Sequence, residues 1–357
     1  MAAVGRTILI ILVVVLGIGA AAYFLGPKTA SRTQTLQVDR PAQTVLARLA
    51  STPVGATVTE GVTIAEAASV EGDVVTAPVT FADGATGRVV YTVTPEGEGS
   101  TVQVKLEQDL GANPLNRFDA ITGGDVTPLI ATAATAVETD LNALPQASFA
   151  GLQYSVTQVE AQPFFYIQNC APVDAEAVTD VVAQSLLAIR PIMARQNLRE
   201  AGPPIAVEPR VESNQYCYQV GLPYTGRPPR VLAVGTAGQT PAGQVLRVAY
   251  TGTEEDVMEQ VYNPMDALLA AAHLDNPTTT DDDWTTYEVY HDDPTQAGGS
   301  RNREIFYVVQ GDISALTRIA PPTTPAAVPA AAPAEAPAAT EPGAPAATPA
   351  PAPATTP

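Results

Sequence analysis

Histidine, cysteine and tryptophan are nearly missing from this chain of 357 residues, which holds two, two and one of them. His273 and His291 stand apart, no His/Cys spacing recurs, and a zinc-type centre lacks its donors. Basic residues are also scarce, with 18 Lys and Arg against 37 Asp and Glu. Arg6, Lys28 and Arg32 are the only charged side chains before position 34, so the rest carries 15 basic against 37 acidic groups, about −22. That sign disfavours nucleic acid and anionic lipid headgroups and weakly favours cationic ligands. The sequence offers no G-x-S-x-G, H-E-x-x-H, Walker loop or G-x-G-x-x-G after a strand, so no cofactor is implied. Gly235 to Gly238 precede Pro241 and mark a linker. The acidic runs Asp281 to Asp283 and Asp292-Asp293 lack the alternating spacing of a calcium loop.

Against these absences stands one long uncharged stretch, Thr7 to Leu25. At about 1.5 Å per residue it is long enough to cross a hydrocarbon layer of roughly 30 Å, and a transmembrane anchor is expected within residues 1–33. A cleavable signal peptide is the competing reading, since Gly17, Gly19 and Ala20 to Ala22 are small and Arg6 supplies a positive flank. With the anchor, the expected location is the inner membrane, with the soluble parts facing the periplasm. Residues 320–357 are almost wholly Pro, Ala and Thr, a composition expected to give a disordered, polyproline-biased tail. Two cysteines, Cys170 and Cys217, allow one disulfide in an oxidising compartment, or two buried thiols.

Residues 34–146 open with a strand, Thr35 to Val38, and a helix to Leu49 for which Asp39 is the expected cap and Pro41 lies in the first turn. Strand patterns follow at Thr57 to Ala65, Val74 to Phe81, Gly87 to Val93 and Thr101 to Gln108, separated by Gly-containing turns. Leu129, Ala133, Val137, Leu141 and Leu144 then recur at helical spacing. The opening VDRPAQTVLARLA and the NPLNRFDAI stretch before the last helix resemble the SRPBCC or START-like superfamily. That resemblance implies an antiparallel sheet gripping a terminal helix around an apolar cavity, although few large aromatics are present to line one.

Residues 150–312 repeat a β-α-β-β unit. In the first copy a strand from Tyr154 to Asn169 precedes a helix from Asp174 to Glu200 and strands at Ile205 to Pro209 and Tyr216 to Leu222. In the second, Val245 to Tyr250 precedes a helix from Glu254 to His273 and strands at Thr286 to His291 and Glu304 to Val309. Pro191 and Pro264 should kink or interrupt the two helices. The turn Ala201-Gly202-Pro203-Pro204, the passage Tyr250-x-Gly252 into a helix, and Tyr287-Glu288-Val289-Tyr290-x-x-Asp293-Pro294 resemble the GyrI-like effector-binding family. The expected class is therefore α+β, with both helices on one face of a doubled antiparallel sheet and an open concave face between the halves.

Alternation along Thr286 to His291 puts Tyr287 with Val289 and Glu288 with Tyr290 on opposite faces. With the helices on the Tyr287 face, Glu288 and Tyr290 would point into the concave groove. A carboxylate framed by rings suits an amphipathic cation, and the resemblance implies the same role for Glu288. Pairing of Glu288 with Arg247 or Arg303 is the plainer reading. Tyr166, Tyr218 and Phe306 are further wall candidates, with Trp284 a lid. The function expected is small-molecule binding without cofactor, metal or nucleic acid. A hydrolase with Glu288 as general base beside Tyr290, or a non-catalytic envelope protein, are the alternatives.

Overall fold

The computed structural model describes residues 17, 28–111, 117, 126–172, 174–212, 215–227, 234–274, 286–296, 299–310 and 312–323. The apolar stretch 7–25 apart from Gly17, most of NPLNRFDAI, Asp281 to Asp283, Trp284 and the tail beyond 323 lie outside the described residues. Among them, the helix long and apolar enough to cross a membrane is Ala175–Arg195. Its apolar side, Val182, Leu186, Ile189 and Met193, is buried in a core, so its composition reflects packing. The class is α+β with curled antiparallel sheets, as expected.

The first sheet contains β1 (Thr29–Val38), β2 (Thr57–Thr59), β3 (Val62–Ile64), β4 (Ser69–Glu71), β5 (Val74–Phe81), β6 (Thr86–Glu96) and β7 (Gly99–Asp109). Its order is β1-β7-β6-β5-β3-β2, with β4 beside β5. Buried and partly exposed residues alternate along β5, the period-two pattern of a sheet with one face on a core. Two helices cover that face, α1 (Ala42–Ala50) and α2 (Val126–Asn142). Strands β1 and β2, at opposite ends of the order, both touch α2, so the sheet curls around it. Val75, Val89, Val102, Val104, Ala133 and Leu141 fill the interior. Asp39 does not cap α1. Pro41, with ψ at 133°, is still extended, and the helix starts one residue later without a side-chain cap.

The second sheet contains β8 (Ser155–Val159), β9 (Pro163–Pro172), β10 (Arg199–Glu200), β11 (Ile205–Glu212), β12 (Gln215–Thr225), β13 (Thr236–Gln239), β14 (Gly243–Thr251), β15 (Thr286–Tyr290) and β16 (Asn302–Val308). Its order is β13-β9-β12-β11-β15-β16-β14-β8, with β10 beside β12. The expected strand from Tyr154 to Asn169 is therefore two strands. Only residues 160–162 separate β8 from β9, yet β8 ends one side of the order and β9 lies next to the other end. That short link brings the two ends of the sheet together, so the sheet closes on itself almost as a barrel.

This closure corrects the expected open concave face. The inside of the curl is packed with the sheet's own Phe164, Ile205, Val207, Val245, Tyr287 and Phe306. Tyr287 stacks on Phe306 at 4.7 Å and Phe164 on Tyr166 at 5.3 Å. Burial of each large ring contributes about 1.5–3 kcal/mol.

The helices lie on the outer face. Helix α3 (Ala175–Arg195) keeps Pro191 in its last turns, while the second helical segment is broken into α4 (Glu254–Val257), a π-helical stretch (Met258–Tyr262) and α5 (Asn263–Ala271), with Pro264 in the first turn of α5. A last short helix, α6 (Ser314–Ile319), packs against α5. The two copies of the unit start and stop their helices alike. Asp174 caps α3 through the Ala177 amide and Thr253 caps α4 through the Asp256 amide. Both helices end in a left-handed residue, Asn197 (φ 57°) and His273 (φ 56°). Each is followed by a leucine whose amide reaches back to a carbonyl in the last turn, Leu198 to Met193 and Leu274 to Leu269.

The two sheets meet through α1 and α5. Arg48 donates to Asp140 of α2 and, at 2.6 Å, to the Ala270 carbonyl, and Ser51 donates to the Ala271 carbonyl. Carbonyls at the end of α5 thus gain donors from α1, Ala270 in addition to the His273 amide and Ala271 from Ser51.

Candidate binding cavity

A cavity of about 210 Å³ opens between α3 and the broken second helix, floored by β11, β12, β15 and β16. Its wall includes Val178 from α3; Glu254, Met258, Tyr262 and Asp266 from the second helix; and Tyr216, Tyr218, Glu288, Tyr290 and Tyr307 from the sheet. Glu288 and Tyr290 reach it from the helix-covered face, because Glu288 pairs in register with Ala206, whose side chain belongs to the core under α3. The alternation along β15 was legible in the sequence. The assignment of helices to the Tyr287 face was the error, and it moves the cavity to the other side of the sheet.

Glu288 is 5% exposed and both of its oxygens are engaged. Tyr262 Oη donates to Oε1 at 2.7 Å, and Arg303 Nη1 donates to Oε2 at 2.8 Å. Arg303 Nη1 also donates to Glu254 Oε2 at 2.5 Å. The guanidinium lies 5.5 Å from the Tyr250 ring centre and 5.8 Å from that of Tyr290. Strand register explains the sandwich, since Arg303 on β16 is directly opposite Tyr290 on β15 and Tyr250 on β14. Three adjacent strands therefore present a ring, a cation and a ring in one row.

The surroundings tune the ionisable groups. Burial, and then the Glu288 charge, push the Glu254 carboxyl above its ordinary value despite Arg303. Burial pushes Asp266 up to about 6, an effect tempered by water because the residue itself is exposed at the mouth. Burial also raises Tyr290 well above the usual phenol value, reinforced by Glu288 and Glu254. Arg303 goes up because the opposing charges of Glu288 and Glu254 overcome the cost of burying it.

Of the residues expected at a site, Glu288, Tyr290 and Tyr218 line the cavity. Tyr166 and Phe306 do not; they belong to the packed inside of the curl. Trp284 lies outside the described residues. Both plainer partners of Glu288 are now placed: Arg303 pairs with it, whereas Arg247 pairs with Glu304 on the opposite face. Sequence reasoning missed Glu254, Met258, Tyr262 and Asp266. Their spacing of four residues was a usable signal, but in an α-helix it drifts by about 40° per step. The π-helical stretch, with its wider turn, offsets the drift and keeps the row on the cavity.

Cys170 and Cys217 are opposite each other on β9 and β12, with Cα atoms 3.9 Å apart, and are joined by a disulfide. Among the described residues no group of His, Cys, Asp or Glu forms a metal cluster.

No protein-family profile and no curated protein matches the chain. Solved structures similar to part of it include SAV2435 bound to tetraphenylphosphonium, 14% identical, covering 45% of this chain and 95% of its own with a TM-score of 0.31. A second is EcmrR in a DNA complex, 13% identical, covering 44% and 57% with a TM-score of 0.33. A third is a hydrolase from Listeria innocua, 12% identical, covering 44% and 92% with a TM-score of 0.28.

Proposed function

We propose that the chain binds small amphipathic cations in the cavity between its two sheet-covering helices, in the manner of a GyrI-like effector-binding domain spanning residues 150–312. The observation that carries this reading is the charge and character of the wall: three carboxylates, Glu254 and Glu288 deep in it and Asp266 exposed, against the single Arg303, with five tyrosines around them. A low-dielectric site with excess negative charge attracts a cation, and ring faces add cation–π contact. Size narrows the class. An apolar cavity of about 150 Å³ holds one benzene ring, so this one suits a single ring with a small cationic head.

Residues 34–146 would be an SRPBCC-like accessory domain docked through α1. The disulfide supports an outward-facing, oxidising location, with residues 7–25 as the anchor, and the acidic charge supports a small-molecule rather than a nucleic-acid partner. The hydrolase alternative gains nothing from the geometry, because both oxygens of Glu288 already accept protein hydrogen bonds.

The test is calorimetric titration of the full chain with benzyltrimethylammonium and with its neutral carbon analogue, neopentylbenzene. Saturable binding of the cation and weaker binding of the neutral compound is the expected result. Equal affinity for both, or no binding of either, would overturn the reading.

A further inference from the structure

We propose that Arg303 is a resident cation that occupies the inner end of the cavity and restricts its ligands to a single positive charge. The inference rests on the cation-binding reading above and adds to it the rule by which ligands are chosen.

Three features of the geometry carry it. The guanidinium sits where a bound cation would: it touches the two inner carboxylates, Glu254 and Glu288, through one nitrogen and lies between the faces of Tyr250 and Tyr290. Its side chain is 1% exposed, yet Nε and Nη2 have no hydrogen-bond acceptor among the described residues. An arginine placed only to neutralise carboxylates would use its planar fork bidentately. Here two of its three nitrogens have no acceptor among the described residues and the guanidinium lies between two rings, the environment that suits a cation held by ring faces. The charge count then follows. At the inner end, Glu254 and Glu288 against Arg303 leave one uncompensated negative charge, which one ligand charge neutralises and a second would overshoot, while the third wall carboxylate, Asp266, is exposed and screened by water.

The test is a charge series on the full chain, titrated with benzyltrimethylammonium and with its para-aminomethyl derivative, a dication at neutral pH. With Asp266→Asn in every chain, so that the inner charges alone are compared, the otherwise wild-type protein should prefer the monocation by about tenfold, and R303M, with two free carboxylates, should reverse that preference. E254Q brings the inner charge to zero and should lose the monocation, and R303M/E254Q, formally equal to wild type, should regain it. This second comparison carries the test if R303M alone does not fold. An unchanged preference in folded R303M, or unchanged monocation affinity in E254Q, overturns the proposal. A separate readout needs no ligand: millimolar methylguanidinium should raise the melting temperature of R303M, or of R303M/E254Q, but not of wild type. Absence of that rescue means that the cage is not a cation site. Rescue in a chain that binds neither amphipathic compound would keep Arg303 as the resident cation and remove the ligand reading instead.

Discussion

Replacing Glu288 by Gln removes a charge while keeping the shape of the side chain, and its two effects can be separated. On stability, breaking one side of a buried ion pair costs about 3–5 kcal/mol when the partner is left alone. Arg303 is not left alone, since Glu254 stays within 2.5 Å of it, and the amide oxygen of Gln can still accept one of the two hydrogen bonds. A loss of about 2 kcal/mol is therefore expected. On binding, a ligand charge about 5 Å from Glu288 at an effective dielectric constant of about 20 gains about 3 kcal/mol. Solvent at the mouth reduces this, so the affinity for benzyltrimethylammonium should fall by roughly 10- to 100-fold while that for neopentylbenzene stays within about twofold. Urea unfolding gives the first quantity and calorimetric titration the second. A folded variant that binds the cation within about twofold of wild type would refute the electrostatic account, because the charge nearest the ligand would then contribute nothing.

Three further outcomes follow from other parts of the molecule. The carboxyl of Asp266 is raised from 3.8 to about 6 in the folded chain, so the native state holds this proton more firmly than the unfolded one. Its contribution to stability is full below the unfolded value and is lost as pH rises through about 6; Asp266→Asn should flatten the pH dependence of the urea midpoint in that window, and an unaltered profile would remove Asp266 as its source. Removing the disulfide in C170A/C217A frees a loop with a sequence separation of 47 residues, which should cost roughly 4 kcal/mol, matching the effect of reductant on wild type; a difference below about 1 kcal/mol would contradict it. Arg48→Met leaves Asp140 unpaired and takes from the Ala270 carbonyl one of its two donors, the His273 amide remaining, so a loss of about 2 kcal/mol is expected by denaturation. Two separate unfolding transitions in the variant, against one in wild type, would identify Arg48 as the link between the sheets.

What could be read in advance depended on range. Local patterns were legible: the alternation in β5, the helical spacing of Leu129 to Leu141, and the doubled strand-helix-strand-strand order. The disulfide of Cys170 and Cys217 was one of two readings left open, and the antiparallel pairing of β9 and β12 decides it. Facts set by closure of the sheet were not legible. Between Tyr154 and Asn169 the one breaker is Pro163, and it marks an interruption without showing that the two parts of the strand belong to opposite ends of the sheet. That division fills the inner face with Tyr166 and Phe306 and leaves the outer face for the cavity. Glu288 was recognisable because β15 alternates. Glu254 was not, because its place depends on where a helix from another part of the unit lands.

The asymmetry between the two copies explains why the cavity is charged on one side only. Strands β11 and β15 are the central pair, and Ala206 stands opposite Glu288 at the middle of their register. If that pair marks the pseudo-twofold centre, the copy-one counterpart of Glu288 is Ala206 itself. Moving outward by register, Val220 matches Ile305, and two residues along, Tyr218 matches Arg303. One more strand out, Asn169 matches Tyr250. Copy two thus supplies the carboxylate, the guanidinium and its flanking ring, while copy one supplies an alanine that leaves space, an aromatic wall and an asparagine tied to Ser185 of α3 at 2.7 Å. A symmetric pair of charged halves would place two carboxylates against each other across the centre and two guanidiniums beside them, at a large desolvation cost. Retaining the charges in one copy and small or aromatic groups in the other keeps the fold of both units and leaves an aromatic cavity with one anionic end.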